Sequence, residues 1–152
     1  MMILYRITNS RYADDLSGSG ARLYGGRWNS EGRAMVYLAS SRSLAILESL
    51  AHLSPTNIPG DYVMLTIEVP DDFFSIDEKL LPDNWNEYPE PNILKQIGNS
   101  FLQKDEYLLL KVPSAIVPEE FNYLMNPMHL KAGKVKIISK VPFSFDERIV
   151  GL

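Results

Sequence analysis

The chain has 152 residues, 45% of them apolar and 22% charged, with a formal net charge of −4 and no cysteine. Such a length and composition fit one folded domain with a real core, and the missing cysteine excludes disulfides, thiol catalysis and thiolate metal sites. An acidic chain without a lysine/arginine run does not attract nucleic-acid phosphates, and no apolar run approaches the roughly 20 residues of a membrane span.

In chain order, MILYRIT (2 to 8) alternates and is rich in β-formers, which predicts a first strand. Residues 9 to 33 are rich in Ser, Gly, Arg, Asp and Asn and are expected to form a long functional loop. MVYLAS (35 to 40) reads as a second strand. SSRSLAILESLAHL (40 to 53) reads as the best helix, with serines for its N-cap and Ser54-Pro55 to stop it. YVMLTIEVP (62 to 70) is a third strand, and residues 71 to 92, acidic and punctuated by proline, are expected to be irregular. ILKQIGNSFLQ (93 to 103) is a weaker helix, in which Gly98 costs stability. YLLLKVPS (107 to 114) is a fourth strand, AIVPEEFNYLMNP (115 to 127) two short strands around a turn, and KVKIIS (134 to 139) the last strand. Mixed strands with two good helices and no internal repeat predict one α+β domain over 1 to 152.

The loop carries the most chemistry. Gly18, Gly20, Gly25 and Gly26 permit backbone conformations in which successive N–H groups converge on an anion. Arg6, Arg11, Arg22, Arg27 and Arg33 punctuate the same stretch, and arginine binds phosphate through a planar fork of donors. No Gly-Lys-Ser/Thr follows, so it is not a P-loop; a plain surface loop is the alternative to an anion cradle. Alternation puts Leu4, Arg6 and Thr8 on one face of the first strand and Ile3, Tyr5 and Ile7 on the other. If the second face is core, Arg6 faces water or a cleft. In the long helix Glu48 falls at the edge of an apolar arc of Leu44, Ile46, Leu47, Leu50, Ala51 and Leu53, about 40° round from Leu44. It is either a surface carboxylate or one aimed into a cleft. Tyr37 is a core aromatic or a flat surface for a stacked ring, and Ser114, after Pro113, reads as a turn or cap serine. His52 and His129, the two histidines, lie far apart, and no metal-ligand spacing appears.

Together YRI (5 to 7), GGRWN (25 to 29), VYLA (36 to 39), LAILE (44 to 48), VPSAIVPEEFNYLMNP (112 to 127) and PFSFDERI (142 to 149) resemble the RES domain, the toxin half of bacterial toxin–antitoxin pairs, named for Arg, Glu and Ser. The pieces are ordered correctly and span nearly the whole chain, and the match is weaker over 71 to 105. The resemblance implies Arg27, Glu48 and Ser114 as the namesake, catalytic residues, Tyr37 as a pocket residue and Arg6 as a further anion contact. Arg27, Tyr37 and Ser114 would also bind substrate. It implies a fold similar to the diphtheria-toxin type of ADP-ribosyltransferase, although Glu48 lies on a predicted helix where that type has a late strand. It also implies NAD as substrate, no metal, and cleavage of the nicotinamide–ribose bond. The acceptor would be water, phosphate or a protein. The implied partner is an Xre-like helix-turn-helix antitoxin, around a homodimer within a larger complex, in the cytoplasm. A protein ADP-ribosyltransferase and a non-catalytic NAD-binding regulator are the alternatives.

Overall fold

The computed structural model describes residues 1–52 and 60–150. Seven strands form one mixed sheet: β1 (Met2–Asn9), β2 (Val36–Ala39), β3 (Tyr62–Val69), β4 (Phe73–Ser75), β5 (Leu109–Pro113), β6 (Phe121–Met125) and β7 (Lys136–Phe143), in the order β4-β5-β6-β2-β1-β3-β7. Only β4 and β5 pair in parallel; every other neighbouring pair is antiparallel. The helices among the described residues are α1 (Ser19–Tyr24), α2 (Arg42–Ala51), α3 (Asn92–Lys104) and the short α4 (Glu147–Val150).

The sheet is two ladders joined at a narrow seam. β1 pairs with β3 over eight residues, from Met2 opposite Val69 to Asn9 opposite Tyr62, and β2 pairs with β6 over four. Between β1 and β2 the register holds a single pair, Tyr5 opposite Ala39. Continuing it would set Arg6 against Leu38 and Ile7 against Tyr37, and these residues instead line a cavity.

Each apolar cluster follows from strand alternation and helix periodicity. Leu4, Val36, Leu38, Leu65, Ile67 and Met125 belong to the largest. Leu44 and Ala45 of α2 bury with Ala39 and Met64, against which Tyr5 and Ile7 pack. Leu94 of α3 buries with Trp28, Met35, Leu110, Val112 and Leu124. The helix α2 starts where its sequence says it should: Ser41 is the N-cap, and its hydroxyl accepts from the Leu44 amide at 3.1 Å.

Several expectations are corrected. The long loop contains a 3₁₀ turn (Ser10–Tyr12) and α1, and the stretch 71 to 92 contains β4 and a second 3₁₀ turn (Glu78–Leu80). Residues 115 to 120 hold no strand; only β6 forms there. β5 is trimmed to Leu109–Pro113, and β7 runs four residues beyond 139, through Pro142, which an edge strand tolerates. The expected end of the long helix at 53 to 55 lies outside the described residues. Leu47, placed in the apolar arc by periodicity, is exposed. On β1 the deeply buried face is that of Leu4, not Ile3, so Arg6 shares its face with core.

Candidate active site

The cavity at the seam has a volume of about 450 Å³, within the range of small-molecule sites. β1 contributes Tyr5, Arg6 and Ile7, β2 contributes Tyr37, Leu38 and Ala39, α2 contributes Glu48 and Ser49, and the glycine loop contributes Gly25, Gly26, Arg27 and Trp28. Glu48 and Arg27 are therefore lining residues of one cavity.

Glu48 is held rigidly. Its Oε1 accepts from the Ser114 hydroxyl at 2.7 Å and from the Asn122 amide at 2.8 Å. Its Oε2 has no partner among the described residues. Ser114 is fully buried and is not itself part of the cavity lining. Its oxygen also accepts from the amides of Ile116 and Val117, each at 3.1 Å. One serine thus closes the turn after β5 and hands its single proton to Glu48. The turn role read from the sequence is correct, whereas direct contact with substrate does not fit a side chain with its donor and both lone pairs engaged.

Arg27 donates twice from NH1, to the carbonyls of Trp85 and Glu87, both at 3.0 Å. Its Nε and its other terminal nitrogen have no partner among the described residues and remain available to an anion. Arg6 donates to the Asp15 carbonyl at 2.9 Å, tying β1 to the loop. Burial lowers its pKa from the usual arginine value, and Asp15 opposes the shift. Arginine titrates so far above neutrality that Arg6 stays charged, and a buried cation at a cavity wall favours an anionic ligand.

Tyr37 donates its hydroxyl proton to Asn29 Oδ1 at 2.7 Å and accepts from the Trp28 amide at 3.0 Å. Burial raises its pKa far above the phenol value, so it stays neutral. Gly26 packs so tightly beside it that a Cβ would lie 2.6 Å from the Tyr37 oxygen. Asn29, fully buried, donates to the carbonyls of Ala21 and Arg33 at 2.8 and 2.9 Å, which folds the loop onto α1.

Three participants carry no role in the sequence reading. Asn29 lies inside the quoted GGRWN stretch, yet nothing in its identity says that it is the loop's internal tie. Asn122 is a polar residue inside the apolar strand FNYLM, and that misfit is the available signal. His52 lines the same cavity one helical turn beyond Glu48, an i, i+4 spacing that the helix pattern contained.

The RES domain family model matches residues 3–146. The chain belongs to the RES domain family. This RES chain is 40% identical over 152 residues to the protein named Toxin Res of Photorhabdus laumondii, covering 98% of this chain and 97% of that one. It is 42% identical over 142 residues to the Prs ADP-ribosylating toxin of Sphingobium sp., covering 91% and 88%. Its fold is similar to one chain in the crystal structure of the M. tuberculosis MbcT-MbcA toxin-antitoxin complex, with a TM-score of 0.76 over 99% of this chain and 87% of that chain, at 20% identity. The RES fold expected from the sequence is therefore the fold observed.

Proposed function

We propose that this RES protein is the toxin of a bacterial toxin–antitoxin pair, acting in the cytoplasm on NAD by breaking the bond between nicotinamide and ribose. The observation that carries the reading is that Glu48, its carboxylate fixed by Ser114 and Asn122, lines one cavity together with two arginines, Arg6 and Arg27. The named toxins among its relatives support the same reading.

The chemistry follows from charge. When the glycosidic C–N bond breaks, its electron pair leaves with nicotinamide, which becomes a neutral base, and positive charge develops on the ribose. A carboxylate beside that ribose stabilises the charge and is worth far more in a water-poor site than in bulk water. Glu48 supplies it through Oε2, while Ser114 and Asn122 fix the other oxygen and prevent the carboxylate from swinging away. Arg27 and Arg6 neutralise the pyrophosphate and hold the reacting bond in place. Tyr37, neutral and anchored at its hydroxyl, offers a ring face to the nicotinamide end. The incoming oxygen nucleophile then bonds to the ribose carbon and releases its proton. No step asks for a metal.

The test is product analysis. Purified protein is incubated with NAD, with and without phosphate, and the products are identified by mass spectrometry. Nicotinamide release with free ADP-ribose identifies water as acceptor, and ADP-ribose phosphate identifies phosphate. Glu48→Gln should lower turnover by roughly 100- to 1,000-fold with an unchanged melting curve. Binding of NAD without any nicotinamide release would instead describe a non-catalytic regulator and sink the reading. A second reading, transfer of ADP-ribose to a cellular protein, is favoured by the Sphingobium relative's name; an adduct on one protein in a treated lysate would select it. The partner in either case is an Xre-like helix-turn-helix antitoxin that covers the cavity mouth, where Tyr24 stands 81% exposed. The assembly is a homodimer within a larger toxin–antitoxin complex, checked by light scattering of the co-purified pair.

A further inference from the structure

The helix α3 lies in the stretch where the family resemblance is weakest, yet it braces the glycine loop at three points. Gly98 lets the helix backbone meet the loop so closely that a Cβ there would stand 1.6 Å from the Trp28 carbonyl oxygen. Asn99 exchanges two bonds with Ser30, accepting from its amide at 3.1 Å and donating to its hydroxyl at 2.8 Å. Lys95 donates from Nζ to the Gly26 carbonyl at 2.8 Å and to Glu90 Oε1 at 2.5 Å. Neither Lys95 nor Glu90 lines the cavity. A lysine whose side chain is only 25% exposed is therefore directed at backbone and at Glu90, not at ligand.

What this does to the turn follows from peptide geometry. In a trans peptide the C=O and the following N–H point in opposite directions. With the Gly26 carbonyl pinned toward α3, the Arg27 N–H points away from α3, and Gly26 and Arg27 both belong to the cavity lining. The neighbouring amides are already used: Gly26 N–H donates to the Asn29 carbonyl at 3.0 Å and Trp28 N–H to Tyr37. Arg27 N–H has no acceptor among the described residues. An amide without a protein acceptor is free to donate to one from outside the protein. The cation on the carbonyl also polarises the peptide, which makes its N–H a better donor. Because Glu90 sits on the same ammonium, the pair adds orientation to the site and little net charge.

We propose that Lys95 is a positioning residue: it holds the Gly26 carbonyl from behind and so aims the Arg27 amide N–H into the cavity as a donor to the pyrophosphate of the substrate. The proposal rests on the NAD reading above. It assigns a function to a helix outside the short stretches that carry the resemblance in the sequence, and it makes the anion cradle part backbone and part guanidinium.

Two measurements test it. The first follows the Arg27 amide of the wild-type protein by ¹⁵N–¹H NMR during titration with ADP-ribose and, separately, with nicotinamide. A downfield move of that resonance with ADP-ribose and none with nicotinamide is expected. An Arg27 amide that stays still while other cavity residues shift would overturn the proposal. The second compares wild type with Lys95→Met, which keeps the length of the side chain and removes its donor and charge. The KM for NAD should rise roughly tenfold with kcat within about threefold, the pattern of a binding contact shared by ground and transition states. Equal KM values, or a loss confined to kcat, would reject it. If the variant does not fold, the NMR titration still decides. Wild-type protein that binds neither NAD nor ADP-ribose would remove the NAD reading itself, a result distinct from either failure.

Discussion

At the scale of single residues, the site depends on how many hydrogen bonds each polar atom has left to give. Ser114 spends all three of its capacities inside the protein, on Glu48, Ile116 and Val117. Replacing it by alanine leaves two amides short of an acceptor and one carboxylate oxygen short of a donor. Each such loss in a buried place costs about 1–3 kcal/mol. Ser114→Ala should therefore melt at a lower temperature and turn over NAD more slowly, both measurable on the purified variant. A variant with wild-type stability and impaired turnover would show that the serine touches substrate after all. Which residues gather at one cavity was readable in the sequence where type and motif agreed: Glu48, Arg27, Tyr37 and Arg6 all line it. It was not readable for Asn122 and Asn29, since an asparagine in a strand or loop looks alike whether or not it ends up as a tie.

At the scale of elements, the helix α3 and the glycine loop act as a pair. The sequence marks Gly98 as a weakness in a helix, and its real reason is proximity: only a residue without a side chain lets α3 approach the Trp28 carbonyl. Gly98→Ala should destabilise by about 3 kcal/mol, since backbone must move to admit the methyl. That corresponds to a fall of roughly 10 °C in a thermal melt. The Glu90–Lys95 pair gives a pH signature. The hydrogen bond from Lys95 depresses the Glu90 pKa below its usual value. A depressed carboxylate contributes stability above its unfolded pKa, about 4.3, and that contribution disappears as pH falls through the folded value. Melting temperature from pH 6 to pH 3 should therefore drop more steeply in wild type than in Glu90→Gln. Long periodic elements such as β1, β3 and α2 were legible because burial repeats along them. Six-residue α1, starting after Gly18 in a left-handed conformation, and three-residue β4 were not, because so few residues give no period and tertiary contacts decide them.

At the scale of the molecule, an acidic chain carries a cationic hollow. The net charge is −4, so NAD, itself anionic, is attracted only by the local field of Arg6 and Arg27. Salt screens that field. Raising sodium chloride from about 50 to about 500 mM should increase KM by about threefold and leave kcat nearly constant, as read from initial rates. A flat KM would mean that neither arginine meets the pyrophosphate. The seam between β1 and β2 has a mechanical consequence as well. One register pair, Tyr5 with Ala39, is all the ladder that joins the two halves of the sheet, and residues from both halves line the hollow beside it. A dinucleotide lodged there is a rivet through two plates: it supplies the cross-strand cohesion that the backbone withholds. The empty enzyme should breathe along this line, and amide exchange in β1 and β2 should slow when the rivet is in place.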